Sequence, residues 1–155
     1  MQSFKNVGRK ANLGQDILQR NRTQRPIGIK TPMSLDFANS DVFEMNFTFS
    51  DQVKDNVRNL LLTNHGERLA LTNFGANLRP LLTEFSNKED FDSEAMIRIN
   101  TAVQDWMPFV NLLGFESVPD YQNNQFTGRI KILVEYSVPT LRVEKDLLEM
   151  TLFVI

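Results

Sequence analysis

The sequence has no cysteine and a single histidine among its 155 residues. Without thiols, the chain can form neither a disulfide nor a thiolate metal site. No apolar run approaches the roughly 20 residues that span a bilayer, and the first residues are polar and basic, unlike a secretory signal. We therefore expect a soluble protein that makes no membrane contact, is made in the cytoplasm and, at this length, forms one domain.

Motifs for catalysis or cofactor binding are also missing. Gly66 and Gly75 stand alone, whereas a phosphate-binding loop needs clustered glycines. The only histidine, His65, has no second imidazole with which to hold a metal. One acidic run lacks the glycine and alternating ligands of a calcium loop and is more typical of a helix N-terminus. Its members are Glu89, Asp90, Asp92 and Glu94. We expect no cofactor and no metal.

Charge is distributed unevenly along the chain. The first 30 residues carry seven basic groups and one acidic group, a net charge of +6, although the whole chain has a net charge of −2. Such a segment can bind nucleic acid or dock on an acidic protein surface. Its one aromatic residue, Phe4, offers no series of rings on which the bases of a single strand could stack, so we do not expect nucleic acid as a partner.

The first 45 residues show no sustained periodicity and are interrupted by glycine and proline. We predict a basic extended arm over residues 1–45, with a helical turn around Gln15–Arg20, and a folded domain over residues 46–155. So long a stretch without its own structure is unusual in a compact domain, so we expect the arm to become ordered on a partner. At the junction, apolar residues alternate with polar ones, which favours a half-buried edge strand. These apolar residues are Phe43, Met45, Phe47 and Phe49.

Asp51–Thr63 has the period of an amphipathic helix, and Ser50 or Asp51 can serve as its N-cap. Its apolar residues recur at the spacing that places them on one face. The face consists of Val53, Val57, Leu60 and Leu61.

A second helix should begin near Asp92 or Ser93 and end at Met107, because Pro108 disfavours the helical conformation at the residue before it. Its expected apolar face consists of Met96, Ile99, Val103 and Trp106.

Three strands are predicted after this helix, over Phe109–Val118, Gly128–Val138 and Glu144–Ile155. Turns at Pro119-Asp120 and Pro139-Thr140 should separate them. The chain is therefore predicted to have an α+β fold, with two main helices packed on a small, mostly antiparallel sheet.

The last strand is apolar on both faces from Leu147 to the end of the chain. A strand of this kind needs cover on both sides. It is either a central strand between the helices or part of a sheet that a strand from another chain completes.

The segment Leu60–Glu84 reads LLLTNHGERLALTNFGANLRPLLTE. Gly66 permits a turn that a residue with a Cβ would resist, and Phe74-Gly75 precedes a short apolar helix. We interpret Gly66, Phe74 and Gly75 as structural turn residues. This segment resembles a run of the T4-type lysozyme-like baseplate wedge family of contractile phage tails, which has relatives in type VI secretion baseplates. The matching residues are Leu61, Leu62, Thr63, Gly66, Glu67, Arg68, Phe74, Gly75, Leu78, Leu82 and Glu84.

The resemblance continues to the end of the second helix, where the family has a Glu-Pro-Arg signature. The frame is kept by Ala102, Val103, Trp106, Pro108, either Val110 or Phe109, and Leu113. Met107 replaces the glutamate and Phe109 the arginine, so the charged pair that is thought to join the subunit to larger wedge subunits is lost. The resemblance covers about Ser50 to Ile155.

The resemblance implies a structural protein of the virion's tail baseplate, assembled in the host cytoplasm, that starts the contractile sheath by strand addition. Expected partners are the tail sheath protein, larger baseplate wedge subunits and the tail tube or hub. Expected contacts on the wedge side are Glu67, Arg68, Trp106, Met107, Pro108 and Phe109. Those on the sheath side are Leu147, Glu149, Met150, Thr151, Leu152, Phe153, Val154 and Ile155.

Two other functions remain open, a lysozyme-like enzyme that cleaves peptidoglycan and a nucleic-acid-binding tail or packaging factor. Glycosidase chemistry needs two carboxyl groups across a cleft, one of them with a raised pKa. The available carboxylates are Glu67, Glu84, Asp105 and Glu116. Nothing in the sequence places any two of them together, and Glu67 beside Arg68 is more typical of an ion pair in a turn or a partner contact. We therefore expect no enzymatic activity.

Overall fold

The computed structural model describes residues 25–36, 42–84, 88–122 and 125–153. The chain divides into two compact units, residues 1–52 and residues 53–155. The helical turn predicted around Gln15–Arg20 lies outside the described residues, so the basic arm remains a prediction.

In the first unit, strands β1 (Gly28–Ile29) and β2 (Met45–Asn46) form a small antiparallel sheet. A single bridge between Leu35 and Phe43 extends this pairing. The longer strand expected from the alternation of apolar residues is wrong beyond Asn46, because Phe47 is 43% exposed and Phe49 already belongs to a helix.

Helix α1 (Phe49–Leu62) begins two residues earlier than predicted. Its N-cap is Thr48, whose hydroxyl oxygen accepts a hydrogen bond from the N–H of Asp51 at 3.2 Å and donates to the Asp51 carboxylate at 2.5 Å. This reciprocal arrangement satisfies a free N–H of the first turn, so the predicted caps Ser50 and Asp51 are wrong. The predicted apolar face of the helix is confirmed as buried.

A short helix α2 (Leu81–Glu84) precedes α3 (Lys88–Trp106). Helix α3 begins earlier than predicted, with Glu89 and Asp90 in its first turn, where the helix dipole favours negative charge. Met96 was expected in the core, but it is 51% exposed, because the buried face of α3 includes the preceding residue, Ala95, instead. The buried residues of α3 are Phe91, Ala95, Ile99, Ala102 and Val103.

The main sheet has the antiparallel order β3-β4-β5, with β3 at Asn111–Gln122, β4 at Gln125–Val138 and β5 at Val143–Phe153. A turn of 3₁₀-helix, Pro139–Leu141, confirms the second predicted turn. The turn predicted at Pro119-Asp120 is wrong, because β3 continues to Gln122.

The core of the second unit lies between the helices and one face of the sheet. Residues of α1 and α3 share one apolar cluster with alternate residues of β4 and β5, and α3 packs against β3. The sheet contributes Ile132, Val134, Tyr136, Val138, Leu148, Met150 and Leu152. The predicted α+β class is confirmed. No helix among the described residues is long and apolar enough to cross a bilayer.

Candidate functional site

Strand β5 forms one edge of the sheet. Its register with β4 is unbroken from Asp146, opposite Tyr136, to Phe153, opposite Arg129. No other strand among the described residues pairs with it. The alternative that β5 is a central strand is therefore wrong, and its outer backbone groups are available for pairing.

The opposite edge of the sheet, formed by β3, is irregular. Its register shifts between Leu112 and Gly114 and again between Pro119 and Tyr121. Pro119 has no N–H group to donate, and bulges twist an edge away from a partner. The two edges therefore differ, because β3 carries features that oppose strand pairing and residues 146–153 of β5 do not.

One face of β5 is buried and the other is exposed to solvent. Leu148, Met150 and Leu152 are buried in the chain's own core. The other face is exposed to solvent, so the expectation that both faces need cover is wrong. Its residues are Leu147, Glu149, Thr151 and Phe153. Of the predicted sheath-side contacts, Met150 and Leu152 have side chains buried in the core, and Val154 and Ile155 lie outside the described residues.

The direction of the backbone groups of β5 follows from one hydrogen bond. The N–H of Leu147 donates to the carboxylate of its neighbour Asp146 at 2.8 Å, from which we infer that it points away from β4. Successive residues of a strand direct their N–H and C=O groups to opposite edges. Leu147, Glu149, Thr151 and Phe153 therefore present their backbone groups to the open edge.

Asp146 connects this edge to the core of the unit. Burial raises the pKa of its carboxyl group, but hydrogen bonds from Lys54 at 3.0 Å, Tyr136 at 2.9 Å and the N–H of Leu147 outweigh that effect. The pKa is therefore held below its ordinary value. The charged carboxylate ties α1, β4 and β5 together at the start of the open edge.

Replacing Asp146 with asparagine should lower the free energy of unfolding at pH 7 by about 1–2 kcal/mol, because charged hydrogen bonds are lost. The folded pKa lies below the unfolded value, so this stabilisation is complete above the unfolded pKa of about 3.9 and is lost as the pH falls through the folded pKa. Urea unfolding of both proteins between pH 7 and about pH 2 measures the difference. Glu149→Gln is the control, because its ion pair with Lys131 is exposed. A difference for Asp146→Asn that stays constant with pH would contradict this account.

A second surface is built on the loop after α1. Gly66 and Gly75 have φ angles of +87° and +111°, which confirms the predicted turns. Hydrogen bonds hold the loop closed, from the N–H of Gly66 to the Thr72 oxygen at 2.7 Å and from the N–H of Ala76 to the Leu60 oxygen at 3.1 Å. The loop is thus a fixed platform on the end of α1.

Three predicted residues form a stack on this platform. The guanidinium of Arg68 lies 4.0 Å from the centre of the Phe74 ring, and that ring meets Trp106 edge to face at 5.1 Å. Glu67 makes an ion pair as expected, but with Arg79 at 3.8 Å rather than with Arg68. Its carboxylate also accepts hydrogen bonds from the backbone and side chain of Asn64, both at 2.8 Å.

Met107, Pro108 and Phe109 stand at the positions of the Glu-Pro-Arg signature that the sequence resembles, and they differ in burial. Met107 is only 6% exposed, so its expected role as a partner contact is corrected to a core residue. Phe109 is 43% exposed and Pro108 is also exposed. The surface contacts that remain from the prediction lie on Arg68, Trp106, Pro108 and Phe109, with Glu67 at the turn.

Sequence reasoning missed Leu69 at the tip of the same loop. Its side chain is 96% exposed, and Ala70 beside it has a φ angle of +65°. The signal was the apolar triplet Leu69-Ala70-Leu71 within an otherwise polar loop, because neighbouring exposed apolar residues can mark a contact site.

Two of the carboxylates considered for catalysis, Glu67 and Glu84, interact with other side chains of the fold. Hydrogen bonds from Asn64 lower the pKa of Glu67, the opposite of what a general acid needs. Glu84 pairs with Arg98 at 3.5 Å. The described ranges contain no group of three or more histidine, aspartate or glutamate residues that could hold a metal ion.

Comparison with known proteins gives likenesses of fold only. No protein-family model matches the chain. No curated protein matches it either. A protein from Geobacter sulfurreducens described as a candidate tail lysozyme has 20% identity and a TM-score of 0.58 over 70% of this chain and 93% of its own. A chain of the anti-feeding prophage baseplate has 18% identity and a TM-score of 0.58 over 79% of this chain and 90% of its own. A chain of the type VI secretion baseplate complex has 16% identity and a TM-score of 0.48 over 67% and 92%.

Proposed function

We propose that this chain is a structural baseplate wedge component of a contractile tail, and that it joins the baseplate to the first ring of sheath subunits. Its fold is similar to that of a chain from the anti-feeding prophage baseplate. The sequence frame from Leu61 to Glu84 independently resembles the wedge family. Such a protein is located in the tail baseplate of the virion and is assembled in the host cytoplasm.

The open edge of β5 carries the proposal. An extended arm of the tail sheath protein pairs with the outward backbone groups of Leu147, Glu149, Thr151 and Phe153. Backbone hydrogen bonds supply the affinity of such strand addition, and the exposed side chains set its register. The mechanism needs no cofactor and starts the sheath by offering its first subunits a sheet to extend.

In this proposal, the stack of Arg68, Phe74 and Trp106 faces the larger wedge subunits. Arg68, Trp106, Pro108 and Phe109 together offer a cation and an exposed aromatic surface, which are typical of interface anchors. Apolar packing by Phe109 takes the place of the charged signature, because Met107 is buried. The tail tube or hub is a further candidate neighbour.

A peptidoglycan-cleaving enzyme is the competing proposal, since one structural relative is described as a candidate tail lysozyme. The lowered pKa of Glu67 and the pairing of Glu84 with Arg98 favour the structural role. A nucleic-acid-binding factor has less support, because it depends on the basic arm alone. We therefore propose that the chain has no enzymatic activity.

A cryo-EM map of the assembled particle tests the proposal directly. We expect the chain in the baseplate, with a strand of the sheath protein hydrogen-bonded along β5 from Leu147 to Phe153. A map in which another face of the chain meets the sheath contradicts strand addition. Release of soluble peptidoglycan fragments by the purified chain, abolished by Glu67→Gln, contradicts the structural role itself.

A further inference from the structure

A pocket of about 300 Å³ lies between the solvent-facing side of α3 and the loop from His65 to Asn77. The helix contributes Arg98, Thr101, Asp105 and Trp106 to its wall. It is separate from the open edge of β5, and only Trp106 belongs to the proposed contacts with the wedge subunits.

The positive charge in the pocket is already neutralised. Arg98 donates to the backbone oxygen of Asn77 at 2.9 Å and to Glu94 at 2.9 Å, and its other nitrogen lies 3.5 Å from Glu84. Asp105, by contrast, makes no ion pair or side-chain hydrogen bond with the described residues. Of the two charged residues Arg98 and Asp105 in the wall, only Asp105 is therefore without an ion pair to the described residues.

The remaining polar side chains of the wall, among them Asn73 and Asn77, can both donate and accept. The hydroxyl of Thr101 donates to the Ile97 oxygen at 2.9 Å, which leaves its lone pairs free to accept. His65 Nε2 lies 3.1 Å from the Gly75 oxygen. A carbonyl can only accept, so Nε2 carries a proton and donates to it. The Asp105 carboxylate, which can only accept, therefore makes the pocket suitable for a ligand group that donates.

We propose that this pocket binds an arginine side chain presented by a partner protein. A guanidinium has five N–H donors and no acceptor, and its planar faces stack on aromatic rings. In the pocket it pairs with the Asp105 carboxylate and lies against the indole of Trp106, which is the preferred ring for such cation contacts. The half-buried indole and the unpaired carboxylate both line the pocket, so a single side chain bound there can reach both.

Trp106 is the only tryptophan in the chain, so its fluorescence reports on this pocket. The probe is the peptide acetyl-Gly-Arg-Gly-amide, titrated into the full-length protein. The same peptide with citrulline, which is close in shape but uncharged, is the matched control ligand. We expect saturable binding of the arginine peptide and a dissociation constant about tenfold higher for citrulline, because a charge-assisted contact is lost. The chemical shift of the indole N–H is a second readout of the same site.

Asp105→Asn should raise the dissociation constant for the arginine peptide about tenfold without changing the melting temperature, because the carboxylate is exposed and has no ion pair or side-chain hydrogen bond within the described part of the chain. Asp90→Asn, an exposed carboxylate in the first turn of the same helix, should leave binding unchanged. Equal affinity for arginine and citrulline, or an unaltered dissociation constant in Asp105→Asn, would overturn the inference. The assay uses no sheath protein and no residue of β5, so its failure is independent of the proposed function.

Discussion

Replacing Thr151 with proline should give tails with baseplates but without polymerised sheath. The N–H of Thr151 points to the open edge, so proline removes a donor that only an added strand would use. Its side chain is exposed and its ladder position opposite Lys131 contributes no buried packing. An edge strand tolerates proline when the lost N–H faces solvent, so the isolated protein should remain folded. Electron microscopy of assembled tails measures the sheath.

Two substitutions at and beside this position serve as controls. Thr151→Val keeps the backbone donor and should support normal sheath assembly. Met150→Pro removes an N–H that donates to β4 and also replaces a buried side chain, so it should unfold the unit. Circular dichroism establishes which variants are folded. A folded Thr151→Pro protein that still initiates full-length sheath would rule out strand addition at β5.

Replacing Gly75 with alanine should lower the free energy of unfolding by about 2–5 kcal/mol. A Cβ at this position would lie 2.2 Å from the backbone oxygen of Thr63. That oxygen lies directly after the last residue of α1 and accepts a hydrogen bond from the N–H of Asn77 at 3.3 Å. It therefore cannot move without opening the loop. The φ angle of +111° adds backbone strain for any residue with a side chain.

Gly66→Ala is the matched control for this contact. Gly66 also has a positive φ, but a Cβ there would meet nothing within 4 Å. Its substitution should cost only the backbone preference, about 1–2 kcal/mol. Chemical denaturation of both variants measures the two losses. Equal losses would show that backbone conformation, rather than the approach of Gly75 to Thr63, accounts for the effect.

The sequence was most informative where a local pattern controls the structure. The helices α1 and α3 and the strands β4 and β5 follow from apolar periodicity, and the end of α3 follows from Pro108. Pro119 misled the prediction because proline also occurs in edge strands, and whether a strand lies at an edge depends on distant parts of the chain. Thr48 was missed as a cap because Ser50 and Asp51 are equally suitable by residue type.

Contacts between distant residues could not be predicted. Lys54 and Asp146 are 92 positions apart, yet their hydrogen bond helps to fix the start of the open edge. Met107 stands where the wedge family has a charged residue, but only the packing of α3 on the core shows that it is buried. The arginine-binding pocket depends in the same way on a loop and a helix that are brought together by folding.

The difference between the two sheet edges has a consequence for stoichiometry. A sheet that is open on both sides can link copies of itself without limit, which is the route to fibres. Residues 146–153 of this chain provide one regular edge, while the opposite edge is interrupted by bulges and Pro119. Under the proposed strand addition, each copy therefore templates a single incoming strand. The proposal then implies a one-to-one ratio of this chain to the subunits of the first sheath ring, with growth beyond that ring depending on edges that the sheath subunits provide themselves.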